Sequence, residues 1–99
     1  MSFMTTIPAA LTAASGDLAG VGCVMAAQNA AVAGPTTGVV PAAADVVSAL
    51  IATQFAAHAQ MYQAVGAMAG EVHNLLLSTL AVDAGSYATT EAANLATLG

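Results

Sequence analysis

One short stretch decides what this chain can become: "GPTTGVVP", Gly34 to Pro41, is the single place where glycine and proline cluster. Gly stops helices, and a run of Gly, Pro and Thr of this length joins antiparallel helices. The three prolines stand at 8, 35 and 41. Proline suits the first helical position, where its fixed φ fits and its missing N–H would have no partner. Pro8 and Pro41 therefore read as two helix starts. The sequence predicts an all-α fold: helix 1 over about 8–33, a loop over about 34–41, helix 2 over about 41–83, and a tail over about 84–99 carrying at most a short helical segment.

Both helical blocks carry stripes at spacings of three and four, as one buried helix face requires. In helix 1 the stripe is Leu11, Ala14, Leu18, Val21, Met25, Gln28 and Val32. In helix 2 it is Val47, Ile51, Gln54, His58, Met61, Val65, Met68, Val72 and Leu75, with a neighbouring stripe of Phe55, Tyr62, Ala69 and Leu76. Helix 2 thus has two apolar faces, and helix 1 can cover one. Folding about residues 34–41 pairs positions whose numbers sum to roughly 75, which places Leu18 near Ala57 and leaves helix 2 overhanging by about 15 residues, roughly 22 Å. That overhang holds Val72, Leu75, Leu76, Leu77 and Leu80, with Phe3 and Ile7 able to cover part of it. A row of leucines left in water marks an interaction surface. The hairpin reads as half of a bundle, with a partner interface drawn from Leu11, Leu18, Val21, Met25, Ile51, Phe55, His58, Tyr62, Val65, Val72, Leu76 and Leu80. Gly16 with Gly20, and Gly66 with Gly70, put small residues on one helix face. At that register the two pairs do not meet, so at least one faces another chain or both are merely tolerated.

Composition limits what such a partner can be. The 99 residues are 59% hydrophobic and 5% charged, which is too apolar for disorder, yet alanine forms helix well while adding little apolar area to a core. There is no lysine or arginine and the net charge is −5. Nothing neutralises phosphates, so nucleic acid and anionic headgroups are poor partners and proteins are the expected ones. "MSFMTTIP" has no basic start and no cleavable apolar core, so a conventional signal peptide is not read here. The uncharged run from Val46 to Gly70 could span a bilayer by length, but Gln54, His58, Gln60 and Gln63 interrupt it and no basic flank would orient it. The lone Cys23, in "VGCVM", reads as a buried small hydrophobe, with a free or intermolecular thiol as the alternative.

Chemistry is not evident. His58 and His73 lie fifteen residues apart, about 22 Å along a helix, and cannot share an ion; His58, with Tyr62 one turn on, reads as a hydrogen-bonded imidazole in an interface. Asp17, Asp45, Glu71 and Asp83 are scattered, without the close pairing that acid–base catalysis needs. Asp45, read one turn inside helix 2, suits the helix dipole. No catalytic residue, metal site or cofactor is expected.

The opening "MSF", Pro8, the run "AAQNAAVAGPTTGVVPAAADVVSAL" (26–50), "QFAAHAQMYQAV" (54–65) and the tail "SYATTEAAN" (86–94) together resemble the PE family of mycobacterial proteins over essentially the whole chain. The family is named for Pro-Glu near the N-terminus, whereas this chain reads Pro8-Ala9. The resemblance implies an antiparallel two-helix hairpin that completes a four-helix bundle with a PPE-family protein as a 1:1 heterodimer. It implies export by the type VII secretion machinery, with an export chaperone acting through the PPE partner, and a secreted or cell-envelope location. The family's Tyr-x-x-x-Asp/Glu export signal maps onto Tyr87 and Glu91. No domain beyond residue 99 is expected. Two other readings stay open: an envelope component that helps solutes cross the outer membrane, and a self-associating structural protein in which a second copy supplies the missing half.

Overall fold

A computed structural model describes residues 4–98 as two helices, with no strand among them. Helix α1 runs Pro8–Thr37 and α2 runs Val46–Leu98, folded as a helical hairpin. Pro8 opens α1 as its sequence position predicts. The other three boundaries differ from the sequence reading, each for a local reason.

Helix α1 continues past Gly34-Pro35 instead of stopping at residue 33. Its last carbonyls are satisfied without help from beyond the turn: Thr36 Oγ1 donates to Val32 O, Thr37 Oγ1 to Ala33 O, and the Gly38 amide to Gly34 O at 3.0 Å. The carbonyl that Pro35 leaves without its usual amide is that of Ala31, one residue before these, so the threonine hydroxyls add bonds to the last turn and do not replace the missing donor. Helix α2 starts at Val46 and not at Pro41, because Asp45 caps it. The Asp45 Oδ1 accepts the Ser48 amide at 2.7 Å, Oδ2 accepts the Ser48 hydroxyl at 3.0 Å, and the Asp45 carbonyl already accepts Ala49 N–H at 3.1 Å. Asp is among the strongest N-cap residues and a weak one inside a helix, so the chain places it at the boundary. At the far end, α2 runs on through residues 84–98, where a tail was expected. No proline follows Pro41, and Gly85, which has no positive φ, is carried inside the helix at a cost of about 1 kcal/mol relative to Ala.

The chain falls into two compact units, Gly22–Val72 and the pair of ends Met1–Val21 with His73–Gly99. In the first, Gly22, Asn29, Ala33 and Thr37 of α1 and Ser48, Ala52, Ala56, Ala59, Gln63 and Gly66 of α2 are the less exposed positions, with Ala52 at 6% and Ala59 at 7%. Tyr62 Oη donates to Asn29 Oδ1 and Gln63 Nε2 donates to Asn29 O, both at 3.0 Å, while a Cβ on Gly66 would sit 3.4 Å from Asn29 Nδ2. In the second unit, Leu11, Ser15, Leu18 and Ala19 oppose His73, Leu77, Leu80 and Ala84, all half-buried except the buried Ala84. His73 Nε2 lies 2.7 Å from Leu18 O. A carbonyl only accepts, so Nε2 carries the hydrogen of this bond.

These bonds reset the register. Leu18 pairs with His73 and not with Ala57, and paired numbers sum to about 91 where the sequence reading has 75. The overhang shifts accordingly. Leu77 and Leu80 are half-buried opposite α1 instead of lying beyond its reach, while Val72, Leu75 and Leu76 are exposed on the outer side. Ile7 stays exposed, and Phe3 lies outside the described residues.

Candidate functional surfaces

In the unit Gly22–Val72 the seam between α1 and α2 is made of small and polar residues and the large apolar residues are exposed, whereas in the other unit Leu11, Leu18, Leu77 and Leu80 are half-buried along it. Along α2 the covered positions 52, 56, 59, 63 and 66, and again 73, 77, 80 and 84, alternate steps of four and three. This is the 3.5-residue repeat that keeps one helix face against a partner. Alanine and glycine there let two backbones come close. The price is that the seam around Ala52 and Ala59 stores little apolar area, and Ile51, Phe55, Tyr62 and Val65 are left outside.

Of the residues assigned to a partner interface from the sequence, Val21, Met25, Ile51, Phe55, His58, Tyr62, Val65, Val72 and Leu76 are exposed, with Phe55 at 61%. Leu11, Leu18 and Leu80 are half-buried within the hairpin itself. The chain exposes 7288 Å². A compact chain of 9.5 kDa exposes roughly 5,000 Å² on the usual scaling, so roughly 2,200 Å² remains that a self-sufficient fold would have buried. Contiguous apolar surface beyond a few hundred Å² is characteristic of interaction faces.

The expected metal and thiol readings change little of this. Among the described residues no group of three or more His, Cys, Asp or Glu could hold an ion. His58 is exposed and has no hydrogen-bond partner among the described residues; the Tyr62 hydroxyl serves Asn29 instead. Cys23 is exposed and not the buried hydrophobe read from "VGCVM". Gly16, Gly20 and Gly70 would place a Cβ in open space, so nothing within the chain demands glycine at these three positions. Asp45 has its carboxyl pKa held below the usual carboxylate value, first by the Ser48 amide and then by the Ser48 hydroxyl. Both helices are long and apolar enough to cross a membrane by length and composition, and little of either is buried.

Tyr87 and Glu91 stand one turn apart on the continuous α2, not on a separate short segment. Tyr87 is 47% exposed. Glu91 is half-buried and fixed: its Oε1 accepts both the Thr6 amide and the Thr6 hydroxyl, each at 3.0 Å. No sequence periodicity pointed to Thr6, because the leading segment carries no repeat. Just inside this contact, Pro8, Ala9, Thr12 and Ser15 face Ala81, Ala84, Gly85 and Ala88 across a shallow recess.

The family model described as "PE family" matches residues 4–94. The chain is 55% identical over 96 residues to PE family protein PE13 of Mycobacterium tuberculosis, covering 97% of each. It is 50% identical over 94 residues to PE8 of the same species, covering 95% of this chain and 34% of that protein. Against the PE-PGRS family protein PE_PGRS33 it is 52% identical over 98 residues, 99% of this chain and 21% of the relative. The similarity therefore spans nearly all of one relative, about a third of the second and about a fifth of the third.

Proposed function

Since this chain belongs to the PE family, we propose that it is a non-enzymatic helical hairpin that pairs 1:1 with a PPE-family protein in a four-helix bundle. In this reading it carries, in Tyr87 and Glu91, the signal by which the type VII machinery exports the pair to the cell envelope or beyond. One observation carries the pairing: the hairpin spends alanine and glycine on its own seam and turns Phe55, Tyr62, Val65, Val72 and Leu76 outward. Buried aromatic anchors contribute disproportionately to binding, and a partner with an apolar helical face removes this surface from water. The absence of Lys and Arg leaves the chain without cations for nucleic acid, which favours protein recognition.

The test is co-expression with the PPE partner. The pair is expected to be soluble and 1:1, and the chain alone aggregated or self-associated; a monodisperse monomer by light scattering would overturn the reading. Phe55→Asp should abolish co-purification, since a carboxylate buried without a cation costs several kcal/mol. Tyr87→Ala should leave pairing intact and stop export from a mycobacterial host, read by blotting cell pellet and culture filtrate. Normal amounts of the variant in the filtrate would remove the signal.

A second reading has its own support. Two helices of membrane-crossing length and apolarity suit an envelope component that aids solute passage. Partition of the purified pair into detergent-free buffer without added lipid counts against it, and stable uptake into vesicles counts for it.

A further inference from the structure

Glu91 differs from the other four acids in what it touches. Asp17, Glu71 and Asp83 are exposed, and Asp45 caps its own helix. Glu91 reaches out of α2 to a segment 85 residues away in sequence. It does so half-buried in a chain that offers no cationic side chain, so neutral donors must satisfy it, and Thr6 supplies two.

Thr6 is placed oddly for any other purpose. Threonine just ahead of a helix ordinarily turns its oxygen onto an amide of the first turn. Here the residue immediately before α1 is Ile7, a poor cap, whose carbonyl takes the Ala10 amide at 3.0 Å. The Thr6 hydroxyl faces the other way and donates to Glu91. Both of its bonds fall on one carboxylate oxygen. That leaves Oε2 without a hydrogen-bond partner among the described residues, one helical turn from the phenol of Tyr87.

We propose that Thr6 is a positioning residue of the surface that Tyr87 and Glu91 present: by holding Oε1 it fixes the rotamer of Glu91, so that Oε2 and the Tyr87 ring are displayed in one orientation. The leading segment is then part of that surface and not a loose end. A free glutamate on a helix samples several rotamers, and a recognition partner must order it; two preformed bonds remove that ordering cost in advance. This proposal rests on the export-signal reading of Tyr87 and Glu91.

The experiment uses the co-expressed pair in a mycobacterial host, with Thr6→Val, which keeps the shape and loses the hydroxyl, Thr6→Ser, which keeps both donors, and Tyr87→Ala as reference. Hydrogen exchange of the peptide spanning residues 4–10 in the purified pair reports the contact. Thr6→Val is expected to speed exchange there about tenfold and to lower export severalfold, with pairing and melting of the complex unchanged; Thr6→Ser should behave as the parent does. If Tyr87→Ala blocks export while Thr6→Val releases the segment and exports normally, the positioning role is refuted and the signal stands. If Tyr87→Ala exports normally, the signal reading has failed and this proposal with it. If Thr6→Val leaves exchange unchanged, Thr6→Pro, which lacks the amide as well, decides: parental exchange in that variant too would show that the contact does not hold the segment.

Discussion

Three glycines should be removable at a gain. A Cβ built on Gly16, Gly20 or Gly70 meets nothing within 4 Å, and no glycine in the described residues has a positive φ, so alanine fits all three without strain. Each replacement recovers about 0.8–1 kcal/mol of helix propensity. An added Cβ at each of the three meets no other atom within 4 Å, so the three share no contact and the effects should be close to additive. The triple variant is then worth about 2–3 kcal/mol. An entropy of unfolding near 2.1 cal/mol/K per residue gives roughly 0.2 kcal/mol/K for a chain of this length, so the midpoint should rise by about 10–15 °C. The assay is helical circular dichroism against temperature on the chain alone, at several low micromolar concentrations to expose any contribution from self-association. Two other glycines serve as internal controls. Gly66→Ala, with Asn29 Nδ2 at 3.4 Å, should gain less than Gly70→Ala. Gly38→Ala, with the Gly34 carbonyl oxygen at 3.1 Å and no flexible side chain to yield, should lose stability. A fall in midpoint for the open-space triple would refute the reasoning, because it would mean that something already occupies that space in the free chain. The same triple should weaken pairing with the PPE protein if a partner backbone approaches those glycines closely.

His73→Ala should cost about 1–2 kcal/mol, from the lost donor to Leu18 O and the packing of a half-buried ring, read as a lower urea midpoint with an unchanged slope. Asp45→Ala should lower the melting midpoint by a few degrees through loss of the α2 cap, whereas Asp45→Asn should retain most of it. Because the folded-state pKa of Asp45 lies below the unfolded value of about 3.9, its contribution is complete above that pH and is lost as pH falls through the folded pKa; a melting series from about pH 5 down to about pH 2 should therefore fall less steeply for Asp45→Asn than for the parent.

The two helices and their single connection were legible because Pro8 and the cluster after Gly34 use backbone rules that tertiary contacts seldom override. The register was not. Gly34-Pro35 looks like a stop, but the helix runs on to Thr37, with the Thr36 and Thr37 hydroxyls bonded back to Val32 O and Ala33 O and the Gly38 amide closing on Gly34 O. Pro41 looks like a start, but Asp45 offers a better one four residues on. Moving the centre of the turn by about four residues moves every sum of paired numbers by about eight, which is half of the shift from about 75 to about 91 that the bonds of Asn29 and His73 show.

The buried face was missed for a different reason, and that reason bears on function. Searching for stripes of large apolar residues finds Ile51, Phe55, Tyr62 and Val65, because in most hairpins such residues are what the two helices hide from water. Here they are the residues left outside, and the signal for the real seam is the alternation of Ala52, Ala56, Ala59, Gln63 and Gly66, in which polar groups reach across between small ones. A seam of alanines fixes alignment through a few polar contacts, such as Asn29 with Tyr62 and Gln63 and Leu18 with His73, while contributing little burial energy. The sequence therefore separates two tasks that one apolar face usually performs together: the seam sets which residues of the hairpin meet, and the outer faces hold the apolar area through which a second protein can stabilise it. Glu91 follows the same division at the end of α2, where one carboxylate oxygen is committed within the chain to Thr6 and the other has no hydrogen-bond partner among the described residues, one turn along from Tyr87.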